Sequence, residues 1–116
     1  MKKLFHSFRY ALRGIGHAWK HERQMKIHSV AAITVVAAGY FTGINACEWV
    51  AVLLLSGGVV ALELMNTAIE RVVDLASPEY HELAKQAKDV AAGAVLLYSM
   101  LAAGIGLYIF IPKWFF

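Results

Sequence analysis

Three apolar runs constrain this chain more than any other feature. Residues 29–43 and 49–62 carry no charge, the helical pattern of the second run continues to Val73, and 91–111 is again uncharged. A hydrocarbon core about 30 Å thick takes about 20 helical residues. The last run meets that length outright. The middle run meets it only by taking Glu63, Asn66 and Glu70 with it, and the first by adding Ile27 and His28. The expectation is an all-α integral membrane protein forming a single domain over 1–116, with transmembrane helices at 27–43, 49–73 and 90–111. Three buried helices of a soluble bundle are the competing reading. Soluble chains carry about 25% charged residues, whereas this one carries 16% against 59% hydrophobic, too few charges to cover a soluble surface. Cys47 stands alone, so no internal disulfide or cysteine zinc site is available.

Residues 1–26 read as an amphipathic surface helix. Leu4, Phe8, Leu12, Ile15 and Trp19 fall three or four apart and form one apolar stripe, while Lys2, Arg9, Arg13, His17 and Lys20 lie mostly off it. A basic helix with an aromatic-rich apolar face lies well in lipid headgroups. The segment has neither the continuous apolar core nor the small-residue cleavage site of a signal peptide. A membrane also accounts for its basic residues better than a nucleic acid does. Seven lysines and arginines precede residue 29, none lies in 44–48, and three lie in 71–88. The positive-inside rule therefore places the N-terminus and the 74–89 connection in the cytoplasm, with the C-terminus outside. Ser77 and Pro78 have the chemistry of a helix N-cap and first helical residue, so the last helix is expected to start near Pro78.

The middle run carries a polar stripe. Glu63, Asn66, Glu70 and Asp74 fall within about 80° of one another on one helix face. Glu63 lies about 21 Å along the axis from Trp49, about 9 Å short of the far edge of the hydrocarbon. A submerged carboxyl is by default a functional candidate; the bland reading is a protonated acid tying helices together, which suits one acid better than a ladder of four polar residues. Lys85, Lys88 and Asp89 approach from the incoming last helix, and Glu22 is the only acid among the first 47 residues. Glu22 reads equally well as a partner for Arg23 or Lys26. Carboxylates with an amide and a lysine suit Mg²⁺, which binds through one or two carboxylates plus substrate phosphates. No P-loop sequence is present. The residues alone point to metal and phosphate chemistry at the cytoplasmic face.

The segments Glu63-Leu-Met-Asn-Thr-Ala-Ile-Glu70, Val73-Asp74, Glu79-Tyr-His-Glu-Leu83 and Ala87-Lys88-Asp89 closely resemble the signature of the prokaryotic diacylglycerol kinase family. The resemblance extends over nearly the whole chain. It implies a homotrimer of three-span protomers that transfers the γ-phosphate of MgATP to a lipid alcohol. It implies Glu63 as the catalytic base, with Glu63 and Asn66 at the lipid substrate and Glu22 and Glu70 as ligands of Mg²⁺. It also implies nucleotide contacts from Tyr10, Glu22, Glu70, Glu79, Tyr80, His81, Lys88 and Asp89. His28, in Glu22-Arg-Gln-Met-Lys-Ile-His28, replaces an acid of the diacylglycerol-specific members. Together with Ala91-Ala-Gly-Ala-Val95 and Phe110-Ile-Pro-Lys113 it resembles the Gram-positive branch, whose members phosphorylate undecaprenol. Small residues at Gly57, Gly58, Ala61, Ala91, Ala92 and Gly93 permit close helix contact. The expected setting is a bacterial plasma membrane, with the active site on its cytoplasmic side. The alternatives are a diacylglycerol kinase and, from another class, a small proton-coupled transporter with Glu63 as its carrier acid.

Overall fold

The computed structural model describes residues 1–116. It contains four helices and no strand: α1 (Lys2–His21), α2 (Arg23–Thr42), α3 (Ala46–Ala76) and α4 (Glu82–Phe115). The last three are long and apolar enough to cross a membrane. Only 12 of 116 residues are buried, and large apolar side chains such as Leu53, Leu96 and Leu101 face outward. Such a surface requires lipid or another protein around it, so the soluble-bundle alternative fails.

α1 keeps its apolar stripe exposed along its whole length and buries only Ala18. The chain breaks at Glu22, whose extended backbone ends α1 and starts α2. The break falls before residue 26. Glu22 occupies an N-cap position without capping α2 through its side chain, because that carboxylate is engaged by Arg71 at 2.9 Å.

α2 stops at Gly43, the one residue with a left-handed backbone (φ +76°). The turn into α3 is then locked by a capping box. Glu48 N–H donates to Asn45 Oδ1 at 2.9 Å, and Asn45 N–H donates to Glu48 Oε1 at 3.0 Å. This hairpin closes tightly: a Cβ on Gly39 would lie 2.9 Å from Ile44 and 3.1 Å from the Trp49 ring. Ile44, Val52, Ile109 and Phe110 form an apolar core beside it.

α3 and α4, of 31 and 34 residues, are about 46 and 51 Å long, well beyond a hydrocarbon core of about 30 Å. Their surplus lies at the end carrying Asp74 and Lys88, termed here the charged end; the α2–α3 turn marks the hairpin end. Gly58 lets the Tyr98 ring press against α3, where Tyr98 OH donates to the Leu54 carbonyl at 3.2 Å. Gly57 and Gly93 have nothing within 4 Å of a built Cβ; of these small residues expected at close contacts, Gly58 makes one inside the protomer.

The α3–α4 connection corrects the expected start near Pro78. Ser77 ends α3, and its Oγ donates to the Glu79 carbonyl at 2.9 Å. α4 starts at Glu82, capped by His81 Nδ1, which accepts from Leu83 N–H at 3.0 Å. An imidazole nitrogen supplies the acceptor that a hydroxyl would, and Pro78 stays in the turn.

Candidate active site

The polar face of α3 grades from buried to exposed. Glu63 is 4% exposed, Asn66 8% and Thr67 6%. Glu70 is half-buried, and Asp74 is exposed. The 3-4-4 spacing thus places all four polar groups along one face, descending to the charged end.

Glu63 meets α2. His28 Nε2 lies 3.4 Å from Glu63 Oε2, close enough for an ion pair when the imidazole is protonated and longer than a tight hydrogen bond. His28 marks a branch in the sequence but gives no sign there of partnering Glu63. One turn down, Asn66 Nδ2 donates to Glu70 Oε1 at 3.1 Å. Asn66 therefore orients Glu70, leaving its own Oδ1 buried without a partner. A buried acceptor left without a partner is costly.

Glu22 arrives from the α1–α2 break. Its Oε1 accepts from Arg71, one residue beyond Glu70. Neither Arg23 nor Lys26 takes it. Arg71 is the residue the sequence reading missed; its adjacency to Glu70 was the available signal. The bridge brings Glu22 to the level of Glu70. No three His, Cys, Asp or Glu side chains converge on a point. Two carboxylates and no thiol suit a divalent ion that keeps water and phosphate oxygens in its shell. They do not make a cage of protein ligands alone.

α4 contributes Lys88, which pairs with Asp74. Its neighbour Asp89 turns away and accepts from Lys85 within the same helix at 2.7 Å. The turn residues are occupied locally. Tyr80 OH donates to Glu82 Oε2 at 2.7 Å, which holds the phenol above its ordinary pKa, and His81 caps α4. Tyr10 lies apart on α1, 60% exposed, with the Arg13 guanidinium 6.0 Å from its ring centroid. The structure thus gathers His28, Glu63, Asn66, Glu70, Arg71 and Glu22 between α2 and α3, and Asp74 with Lys88 between α3 and α4. It does not bring Tyr10, Glu79 or Asp89 to them. Beside Glu22, the His17 and His21 rings lie tilted at 50° with centroids 4.2 Å apart. Partial desolvation of the exposed His17 ring, then the neighbouring His21 and Arg71, lower its pKa from 6.5.

Three helices long and apolar enough to cross a membrane, with a graded carboxylate face and a paired lysine at one end, define a multi-pass membrane protein that gathers its polar groups at that end. The family described as prokaryotic diacylglycerol kinase matches residues 9–110, and the chain belongs to that family of lipid kinases. It is 44% identical over 113 residues to the undecaprenol kinase of Bacillus subtilis, covering 97% of this chain and 92% of the relative. It is 43% identical over 107 residues to a diacylglycerol kinase of Synechocystis, covering 91% of this chain and 61% of that longer relative. It is 33% identical over 93 residues to the diacylglycerol kinase of Escherichia coli K12, covering 80% and 76%. Membership in a lipid kinase family leaves the transporter alternative without support.

Proposed function

We propose that this lipid kinase transfers the γ-phosphate of MgATP to undecaprenol at the cytoplasmic face of a bacterial plasma membrane, giving undecaprenyl phosphate. The observation that carries the chemistry is Glu63, 4% exposed, at the buried foot of a ladder of oxygen donors. The acceptor rests on the likeness over nearly the full length of both chains to the Bacillus enzyme.

Glu63 takes the proton of the acceptor hydroxyl. The alcohol oxygen forms its bond to the γ-phosphorus as the bond from that phosphorus to the β-bridging oxygen breaks. The electron pair leaves with ADP, and the proton remains on Glu63 until water reaches it. Glu22 and Glu70 are the carboxylates that would hold Mg²⁺, which would supply charge neutralisation for the phosphates. Arg71 sets where Glu22 points, and Asn66 does the same for Glu70. Lys88, on exchanging Asp74 for a phosphate oxygen, supplies positive charge to the nucleotide. Glu79, Tyr80, His81, Asp89 and Tyr10 stand as further nucleotide contacts, which requires the turn and α1 to close over the charged end.

The orientation follows the lysine and arginine bias, which puts α1 and the α3–α4 turn inside. A homotrimer fits the exposed apolar faces of α2 and α4 and the open space over Gly57 and Gly93. The test is phosphate transfer from labelled ATP into extracted lipid, with undecaprenol and diacylglycerol compared in one detergent. Faster labelling of undecaprenol is expected; equal or faster labelling of diacylglycerol would move the acceptor to the other branch of the family.

A further inference from the structure

A cavity of about 630 Å³ lies between α2, α3 and α4. α3 packs against both neighbours. α2 and α4 are tied at the hairpin end, where Trp114 Nε1 donates to Thr42 Oγ1 at 2.8 Å. Below that tie they part. The cavity runs from His28, whose ring meets Glu63, to Trp114 and Phe115.

Three features say what fits there. Length is the first. The α4 wall extends from Ser99 to Phe115, a rise of about 24 Å. Half of a 30 Å hydrocarbon core is about 15 Å, the reach of an acyl chain anchored at one face. The cavity starts at His28 on the charged side and its α4 wall covers the hairpin-side half of the 91–111 run, so it continues past the mid-plane. Width is the second. Ala31, Ala32, Ala102, Ala103 and Gly106 line it, and a Cβ on Gly106 would have nothing within 4 Å. A wall of small residues leaves room for a chain thickened by methyl branches. Polarity is the third. Ser99 is the α4 lining residue nearest the charged end, and its Oγ is buried without a partner. His28 and Glu63 at 3.4 Å leave their polar atoms loosely engaged. A hydroxyl is thus accommodated at the His28 end, Ser99 adds a polar group nearer mid-span beside the Leu54–Gly58 stretch that Tyr98 packs on, and elsewhere the walls are almost wholly apolar.

We propose that this cavity is the binding groove for one polyisoprenoid chain, with its alcohol at the His28–Glu63 pair and its tail crossing the mid-plane toward Trp114. The proposal rests on the prenol kinase reading and adds how the acceptor is selected. A chain that fills the groove gains van der Waals contact along its length. Lipid tails compete for the same surface, so selection comes from shape. A diacylglycerol, with two chains of single-leaflet reach, leaves the far part of the groove unfilled.

The experiment uses the full chain in nanodiscs and a long-chain prenol carrying a photoreactive diazirine at its tail end. Crosslinks mapped by mass spectrometry are expected on 106–115; labelling confined to the outer faces of α2 or α4 overturns the groove. Gly106→Leu projects a side chain into the open space. It is expected to raise KM for the long prenol about fivefold or more, the effect of about 1 kcal/mol, while KM for a short-chain prenol stays put. Ala103→Leu provides a second blockage should the first variant insert poorly. Equal KM for the long prenol in wild type and in both inserted variants overturns the proposal. Loss of activity toward both prenols together with a smaller oligomer also overturns it, since a second copy of the chain then fills the space. Photolabel in the groove without transfer to any prenol keeps the groove and removes the kinase acceptor; transfer to prenol without label there does the reverse.

Discussion

The two ends of the helix bundle solve opposite problems. At the hairpin end nearly every polar group has a fixed partner. Asn45 and Glu48 exchange hydrogen bonds, Lys113 pairs with Glu48 at 3.2 Å, and Trp114 bonds Thr42. The apolar cluster of Ile44, Val52, Ile109 and Phe110 packs beside them. At the charged end, polar groups are buried without being fully satisfied. Asn66 Oδ1 has no partner, Glu63 rests on a loose His28 contact, and Glu22 and Asp74 are held by Arg71 and Lys88, cations that also suit phosphate. Buried, half-satisfied polar groups cost stability. A chain that keeps them at one end and removes them from the other separates holding together from the chemistry proposed for the charged end.

That contrast is broken most strongly at Glu63. Glu63→Gln keeps the volume and removes the base, and losses from removing such a group run to about 10²–10⁴-fold. Transfer from labelled ATP is expected to fall by that order while the protein still inserts and assembles; wild-type turnover would remove Glu63 from the chemistry. Glu70→Gln is expected to abolish transfer as well, with activity at saturating Mg²⁺ as the readout. Lys88→Met comes next. It should raise KM for ATP about tenfold, whereas Lys85→Met, which loses only an exposed pair within α4, should leave it unchanged. Equal effects at the two positions would mean that the Asp74 pairing does not mark the phosphate side.

Part of this division was legible in the residues and part was not. The four acids and amides of α3 announce their common face because a helix fixes the angle between positions. The three spans follow from run length for the same reason. Helix boundaries depended on competition between caps, and there the residues misled: Ser77-Pro78 has the chemistry of a helix start, yet His81 supplies the cap. The Asn45-Ala-Cys-Glu48 spacing is that of a capping box, and the structure forms it with both hydrogen bonds. The partners of Glu22 and Glu63 lie 49 and 35 positions away. Nothing local distinguishes Arg71 from Arg23, or His28 from a solvated histidine, until α2 is laid against α3.

At the hairpin end, by contrast, substitutions should move stability and spare turnover. Asn45→Ala removes one arm of the capping box, a loss of about 1 kcal/mol. A lower Tm in detergent is expected, with KM for ATP and lipid unchanged at assay temperature. Lys113→Met should do less, because exposed ion pairs contribute about 0–1 kcal/mol. A large loss of activity from either variant would show that the two ends are coupled.

The smallest effect belongs to His17, on the α1 side of the charged end. Its folded pKa lies below 6.5 because partial desolvation, His21 and Arg71 disfavour the imidazolium. The unfolded chain therefore binds the proton first as pH falls. The stability linked to neutral His17 is fully present above pH 6.5 and is lost as pH drops from there through the lower folded value, below which both states are protonated. His17→Gln should flatten the fall of Tm between pH 7 and 5 without shifting Tm at pH 8. Because the ring is solvent-accessible, screening keeps the change small, and an unchanged acid slope would show that α1 rests at Glu22 without feeling its histidines.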